Sequence, residues 1–425
     1  MTKEQEDFVK ELKANAVFQL SLSSKELFHS NFLAWLAENE GTRGVFNELL
    51  HSCFGVNWDF NPNTMMVKRE YKNFDLCICQ KTKNTNKEKV EKSLEEEDVP
   101  GNILFVLENK FKSIPYQEQL AEYQGKVQKL NKGSNIKTNY VLLCLTESYT
   151  SDSNWKLVYY SQYIEYLDQV NKSKQVSPFY QELITQYCNF VRSFADYIKK
   201  ILKKEICNQD AILPTASWSS LLNHQEFYAI RCYDIWQKLV MQHCASILLQ
   251  MIKEELGEEK EVVMAHSDKD ILQMEGTESQ GKNKNKYFIM VNFFHGEALL
   301  ELKYLIPGKG ILTFQQQGNH PLRIGIVATN TNHGINQTTK TKDIAAWKDK
   351  VRKHLELCGL DNYPAFQKEL EKKENSFNSY GSFYYFNIES NVMPIKKTLE
   401  YMKNEMNEIV NHLKNESLKS DQLCK

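Results

Sequence analysis

The sequence predicts two folded halves: an α/β core of element order αβββαβ, then an α+β half with a mostly antiparallel sheet. Three observations carry this. Between residues 65 and 160, apolar runs of strand length are interrupted once by a helical pattern. From residue 261 to 329, strand-like segments succeed one another with only turns between them. Between the halves lies a polar, proline-bearing stretch, Asn208–Trp218, which reads as a linker. The expected domains are therefore residues 1–207 and 219–425. A length of 425 residues is consistent with two to three domains at roughly 150 residues each.

Residues 3–22 predict an amphipathic helix with Phe8, Leu12 and Val17 on or near one face. Ser23 followed three residues later by Glu26 is a capping-box pattern, so a second helix should start there. Phe28, Phe32, Trp35 and Leu36 make its core stripe, while Glu26, His29, Ser30 and Leu33 make a second face of polar groups around a leucine. Met65–Tyr71 and Phe74–Gln80 read as two strands joined tightly at Lys72-Asn73. Residues 81–100 hold five Lys and six acidic residues with almost nothing apolar, which predicts a solvated hairpin extension or a disordered insert. Ile103–Phe111 is a strong strand. Pro115 suits the first turn of a helix carrying Tyr116, Leu120, Tyr123 and Val127 to an end near Gly133. Strands follow at 139–146 and 156–160, and Pro178–Lys204 reads as a long closing helix.

In the second half, Glu226–Glu258 predicts one long amphipathic helix around Trp236, Leu239, Cys244, Leu248 and Met251. Strands are expected at 261–265, 270–274, 287–294, 297–305, 311–316, 323–329 and 381–388. Helices are expected at 343–357, 362–373 and 396–414. No repeat of fixed period is present.

Composition narrows the function classes. The chain is 41% hydrophobic and 25% charged, so fibrous and wholly disordered classes drop out. Its longest apolar runs fall far short of the ~20 residues a membrane span needs. With 53 Lys and Arg against 54 Asp and Glu, a uniformly basic nucleic-acid coat is excluded, but a local basic site is not. The N-terminal residues lack an apolar signal region, which predicts a cytoplasmic chain. Ten scattered cysteines without a C-x-x-C are expected to be reduced and structural. Histidines without an H-x-x-x-H pair make a structural zinc site an unexpected feature. No G-x-x-x-x-G-K-[ST] run is present, so no NTPase motor of that type is built in.

The residues that carry chemistry are Asp75 in NFDLCI and Glu108-Asn109-Lys110 in ILFVLENKF. A carboxylate in an otherwise buried strand costs free energy unless it is paired or binds a metal. Alternation places Val106, Glu108 and Lys110 on one strand face, and Asp75 with Cys77 on one face of its own strand. If the strands pair, two acids and one ammonium converge. Two readings stand at this point. One is a strand-end ion pair between Glu108 and Lys110. The other is a divalent-cation site with a lysine that activates water, an arrangement suited to phosphodiester cleavage.

In order along the chain, four segments resemble the PD-(D/E)xK nuclease superfamily, particularly its bacterial defence-associated branch. The branch's first helix, E-x-x-H-S-x-x-L-x-W-L, is matched by Glu26, His29, Ser30, Leu33, Trp35 and Leu36. Its acidic strand is matched by Asp75, its I-E-N-K strand by Leu107-Glu108-Asn109-Lys110, and its Q-L-x-x-Y helix by Gln119, Leu120 and Tyr123. The likeness covers roughly residues 20–200; residues 210–425 match no family by inspection. Phe74 stands where the superfamily's name pattern has proline, and the 33 positions from Asp75 to Glu108 are lengthened by the charged insert.

The resemblance implies a restriction-endonuclease-like core, with a mixed central sheet flanked by helices, and a role for each matched residue. Asp75, Glu108 and the backbone carbonyl of Asn109 would bind Mg2+ or Mn2+. Lys110 would orient and activate the attacking water, Glu26 would complete the site through water, and Gln119 would reach it from the following helix. His29, Ser30 and Tyr123 are the candidate substrate contacts, although His29, Trp35 and Tyr123 read first as packing residues. The implied enzyme is an Mg2+-dependent (endo)deoxyribonuclease, with endo- and exonucleolytic action both open, in a setting of defence against foreign DNA, with nucleic acid, DNA first, as its partner. The second half would serve recognition, homodimer or partner contacts, or sensing. The rival functions are a catalytically silent nucleic-acid or partner-binding domain, and an interaction protein centred on residues 210–425. Weaker candidates are Glu70, the lysines at 282, 284 and 286, and the Asn- and Thr-rich loop 329–342, each of which reads first as solvated surface.

Overall fold

The structure is a computed structural model. It describes residues 3–15, 17–18, 26–83, 98–111, 117–145, 154–173, 176–201, 216–222, 225–256, 260–265, 268, 271, 285–294, 297–328, 344–372, 376–380, 382–388 and 393–423. The chain divides into two compact units, residues 1–200 with 225–235, and residues 201–224 with 236–425.

In the first unit, helix α1 (Lys3–Ala14) precedes α2 (Glu26–Glu38) and α3 (Arg43–Glu48), which widens into a π turn at Leu49–Cys53. Strands β1 (Met65–Tyr71), β2 (Phe74–Lys83) and β3 (Asp98–Lys110) follow. Then come α4 (Gln117–Leu130), β4 (Asn139–Cys144), β5 (Trp155–Tyr159), α5 (Tyr160–Ser173) and α6 (Pro178–Ile201). The described strands form a mixed sheet of order β1-β2-β3-β4-β5. β1/β2 and β2/β3 are antiparallel; β3/β4 and β4/β5 are parallel. The β1–β2 connection is as short as its sequence suggests. Tyr71 pairs with Phe74, and the two residues between them, Lys72 and Asn73, have φ of 57° and 71°. That is the type I′ geometry whose twist matches paired strands.

β3 is buried on both faces from Ile103 to Lys110, as a central strand in a layered sheet must be. On one face Val106 joins Cys77, Leu142 and Cys144 beneath Leu120, Tyr123 and Val127 of α4. On the other, Phe105 meets Phe54, and Phe111 packs on His29 of α2, Tyr160 of α5, and Phe190 and Phe194 of α6. Each fully buried Leu or Phe in these layers contributes roughly 2 kcal/mol of transfer free energy. The start of β3 is fixed by Asn131. Its Oδ1 accepts from the Ile103 N–H at 2.8 Å, and its Nδ2 donates to the Ile103 carbonyl at 2.9 Å.

The second unit contains α7 (Trp218–Leu222) and most of α9 (Tyr233–Leu256), while α8 (Gln225–Ala229) belongs to the first. Its strands are β6 (Lys260–Met264), β7 (Asn285–Phe294), β8 (Glu297–Ile306), β9 (Gly310–Gln317) and β10 (Leu322–Ala328), with β11 (Asn378–Tyr380) and β12 (Phe383–Ile388) later in the chain. Helices α10 (Ile344–Cys358), α11 (Pro364–Glu371) and α12 (Ile395–Leu423) complete it. The sheet order is β11-β12-β10-β9-β8-β7-β6, antiparallel except for the β6/β7 pair. On one face, buried Lys303 lies 2.6 Å from Asp268 and 3.4 Å from Glu301, so its charge is compensated.

Several elements differ from the expectations. α1 closes at Ala14, where the Asn15 side chain accepts from the Phe18 N–H and donates to the Gln186 carbonyl; Val17 and Phe18 are helical again, and residues 16 and 19–22 of the expected helix lie outside the described residues. The expected helix 226–258 is two, α8 and α9, broken where Arg231 adopts φ 56°. The strand expected at 381–388 is present as β12, and an unexpected short strand, β11, pairs with it, Tyr380 opposite Phe383. Of the strand expected at 270–274, only Ile271 is described, in a helical turn. α3, α5 and α7 were not expected at all. Residues 84–97 of the charged insert, 208–215 of the expected linker, Ser23, Pro115, Lys282, Lys284 and the loop 329–342 lie outside the described residues.

Candidate active site

The β2/β3 register places Leu76 opposite Leu107, which sets Asp75 alongside Glu108 at the end of the paired segment. Alternation then turns Asp75, Cys77, Glu108 and Lys110 toward the face covered by α4, and Asn109 toward the opposite face. Glu108 and Asn109 are 2% and 1% exposed and Lys110 7%, whereas Asp75 is half-buried. The site therefore combines an enclosed charged pair with a carboxylate at its rim.

The hydrogen bonds converge on β3. Asp75 Oδ2 accepts from the Asn109 backbone N–H at 2.7 Å. Lys110 Nζ lies 2.7 Å from Glu108 Oε1, and Gln119 Nε2, on α4, donates to the same oxygen at 3.1 Å. Gln119 Nε2 also donates to the Tyr123 hydroxyl at 2.8 Å. Burial, and after it the charge of Glu108, pushes the Tyr123 phenol up to about 12. Tyr123 thus stays neutral across the range in which enzymes work. From the opposite face, the Tyr160 hydroxyl donates to Asn109 Oδ1 at 2.7 Å.

The strand-end ion pair is present, and it does not exhaust the site. Glu108 contributes a second carboxylate beside Asp75, and the Asn109 carbonyl a third oxygen. The direction of that carbonyl follows from its neighbours. The Lys110 carbonyl accepts from the Leu145 N–H on the β4 side, and the Asn109 N–H points to Asp75 on the β2 side. Alternate residues of a strand address opposite edges, so the Asn109 carbonyl also faces the β2 edge. Two carboxylates and a carbonyl make an all-oxygen donor set, which fits magnesium or manganese retaining several waters. Among the described residues no group of three or more His, Cys, Asp or Glu side chains is placed to hold a metal. Any cation here would thus rest on few protein ligands.

The structure brings together Asp75, Glu108, Asn109, Lys110, Gln119 and Tyr123. His29 and Ser30 lie in α2 and are fully buried, and His29 contacts aromatic residues. His29 Nδ1 shares a hydrogen bond with the Tyr187 hydroxyl at 2.9 Å, and its ring stacks on Phe111 at 4.0 Å. These are packing partners on the face of β3 opposite Glu108. Glu26 opens α2, and its side chain lies outside those described. Glu70 is exposed at φ 52°, beside the hairpin turn. Lys286 lies in β7 with its side chain outside those described.

Two residues escaped the sequence reading. Tyr160 follows a strand directly, and nothing in its spacing ties it to Asn109. Lys68 pairs across from Cys77 and so lies on the site's face, a placement that period-2 alternation in 65–71 could have revealed. The Cys77 and Cys79 sulfurs are 3.7 Å apart beneath it. Their hydrogen bond, with burial, pushes the Cys77 thiol up. Eight cysteines are described, all free and buried. No described helix is long and apolar enough to cross a membrane.

Compared with known proteins, residues 14–189 match the family model described as the PD-(D/E)XK nuclease superfamily. No curated protein and no solved structure matches the chain.

Proposed function

Since residues 14–189 belong to the PD-(D/E)XK nuclease superfamily, we propose that the first unit is a divalent-cation-dependent nuclease that cleaves nucleic acid, DNA first. The single observation that carries this reading is the meeting of Asp75, Glu108 and Lys110 at one end of the β2/β3 pair, with the Asn109 carbonyl on the Asp75 edge. Asp75, Glu108 and that carbonyl would hold Mg2+ or Mn2+. When bound, such an ion supplies Lewis acidity to a phosphoryl oxygen and lowers the pKa of water. Lys110 orients the attacking water and offsets the negative charge that builds on the phosphate. Gln119 keeps the Glu108 carboxylate in one rotamer. In-line attack would leave a 5′-phosphate and a 3′-hydroxyl. Because the formal charge of the whole chain is −1, substrate binding falls to a local cleft, with Lys68 on the same face as the acids. The second unit would supply recognition, self-association or sensing. A role in defence against foreign DNA accords with the branch that the motifs resemble.

One observation favours a second reading, a silent domain that binds nucleic acid or a partner. Lys110 and Gln119 already compensate Glu108, so the cluster is coherent without a cation. Cleavage assays separate the two. The full chain and its Lys110→Ala variant are incubated with supercoiled plasmid, single-stranded DNA and RNA, with Mg2+, Mn2+ or EDTA. The nuclease reading expects cation-dependent cleavage of DNA by the wild type alone. Equal cleavage by both proteins, or none by either on any substrate, would overturn it.

A further inference from the structure

The end of β3 is held from both faces of its sheet. From the α4 side, Gln119 holds Glu108. From the other side, the Tyr160 hydroxyl reaches Asn109 Oδ1 at 2.7 Å. Tyr160 is the first residue of α5 and fully buried. Its ring is locked edge-on against Phe111 at 4.9 Å and His29 at 5.1 Å. The hydroxyl is therefore a fixed point, delivered by a rigid aromatic cluster.

Asn109 is the residue on which the site's geometry turns. Its N–H holds Asp75, and its carbonyl faces the same edge. The β2/β3 register ends with Leu76 opposite Leu107, so the peptides at 108–110 lie beyond the ladder on that edge. A rotation of this segment about the strand axis would move the Asn109 carbonyl and release Asp75 together. The Asn109 side chain projects from the opposite face, and Tyr160 holds it there.

We propose that Tyr160 is a positioning residue for the cation site, acting through the Asn109 side chain to set the Asn109 carbonyl and the Asp75 carboxylate toward a common point. This rests on the cation-holding reading above. Partners one shell outside a metal's ligands commonly change its affinity by about 10- to 100-fold, and the Tyr160 hydroxyl stands in that relation to Asn109. The conserved feature of the test is the ring: Tyr160→Phe keeps the aromatic packing and deletes only the donor.

Calorimetric titration of the full chain with Mn2+ tests this on the wild type, Tyr160→Phe, Asn109→Ala and the double variant. Each single change is expected to weaken binding by on the order of tenfold. The double variant is expected to bind no more weakly than Asn109→Ala, because the hydroxyl acts only through that side chain. Wild-type affinity in Tyr160→Phe, or losses that multiply in the double variant, would overturn the proposal while leaving the cation reading intact. A wild type that binds no Mn2+ would overturn both. Should Tyr160→Phe fail to fold, Asn109→Ala, which spares the aromatic cluster, decides: wild-type affinity there overturns the proposal.

Discussion

Asp75 Oδ2 accepts the backbone N–H of Asn109 at 2.7 Å, so a side chain of β2 takes up the hydrogen bonding of β3 just past the last backbone pair, Leu76 with Leu107. One contact thereby serves structure and chemistry together. It satisfies a buried amide and aims a carboxylate at the peptide whose carbonyl shares its edge. Asp75→Asn keeps an acceptor for that amide but removes the charge. We expect near-wild-type thermal stability with Mn2+ affinity and cleavage reduced by more than about a hundredfold, beyond what is usual for a residue that only orients a ligand. Cleavage within tenfold of wild type would count against Asp75 as a ligand.

Lys110 and Glu108 are 8% and 2% exposed at their side chains. Removing one partner of an enclosed pair leaves a buried charge, at a cost of about 3 kcal/mol. Lys110→Met should lower the urea midpoint accordingly in EDTA. Millimolar Mn2+ should recover more stability in this variant than in the wild type, because the cation replaces the lost ammonium beside Glu108. A variant as stable as wild type in EDTA would show that the pair contributes little to the fold.

The hairpin before Asp75 offers a gain. Lys72 and Asn73 both have positive φ, and lysine is the poorer occupant of that region. Lys72→Asn is expected to stabilise the chain by about 0.5 kcal/mol, read from urea unfolding. A loss of stability would contradict the turn geometry.

These cases show where the sequence was readable. The β3 segment announced itself because Ile103 to Leu107 are all apolar, so the carboxylate and ammonium directly after them stood out, and the structure buries the run through Lys110. The β1–β2 turn was equally plain, since two strand patterns left only Lys72-Asn73 between them. The placement of His29 was not legible for a geometric reason. Helical spacing tells which residues share a face, but not which face of the sheet that helix covers, and α2 packs His29 against Phe111 rather than toward Glu108. The break at Arg231 carries neither Gly nor Pro to mark it. The Tyr160–Asn109 bond spans 51 residues between strand end and helix start, and no local pattern encodes such a pairing.

The π turn after α3 gives a pH prediction. His51 Nδ1 faces the Val56 carbonyl at 2.9 Å, and Nε2 faces Asp59 Oδ1 at 2.8 Å. Two acceptors favour the doubly protonated ring, and the Asp59 hydrogen bond is the main reason that His51 is raised above its usual 6.5. A raised histidine contributes stability that is present in full below its unfolded pKa and lost as pH rises through the folded value. His51→Asn should therefore lower the thermal midpoint more at pH 5.5 than at pH 8.5. A deficit independent of pH would contradict the assignment.

Anomalous diffraction from crystals of the full chain soaked in Mn2+ tests the central claim most directly. A manganese peak is predicted between the Asp75 and Glu108 carboxylates and against the Asn109 carbonyl, and it should vanish in Asp75→Asn. No peak there at millimolar Mn2+, or a peak held entirely by other residues, would contradict the account.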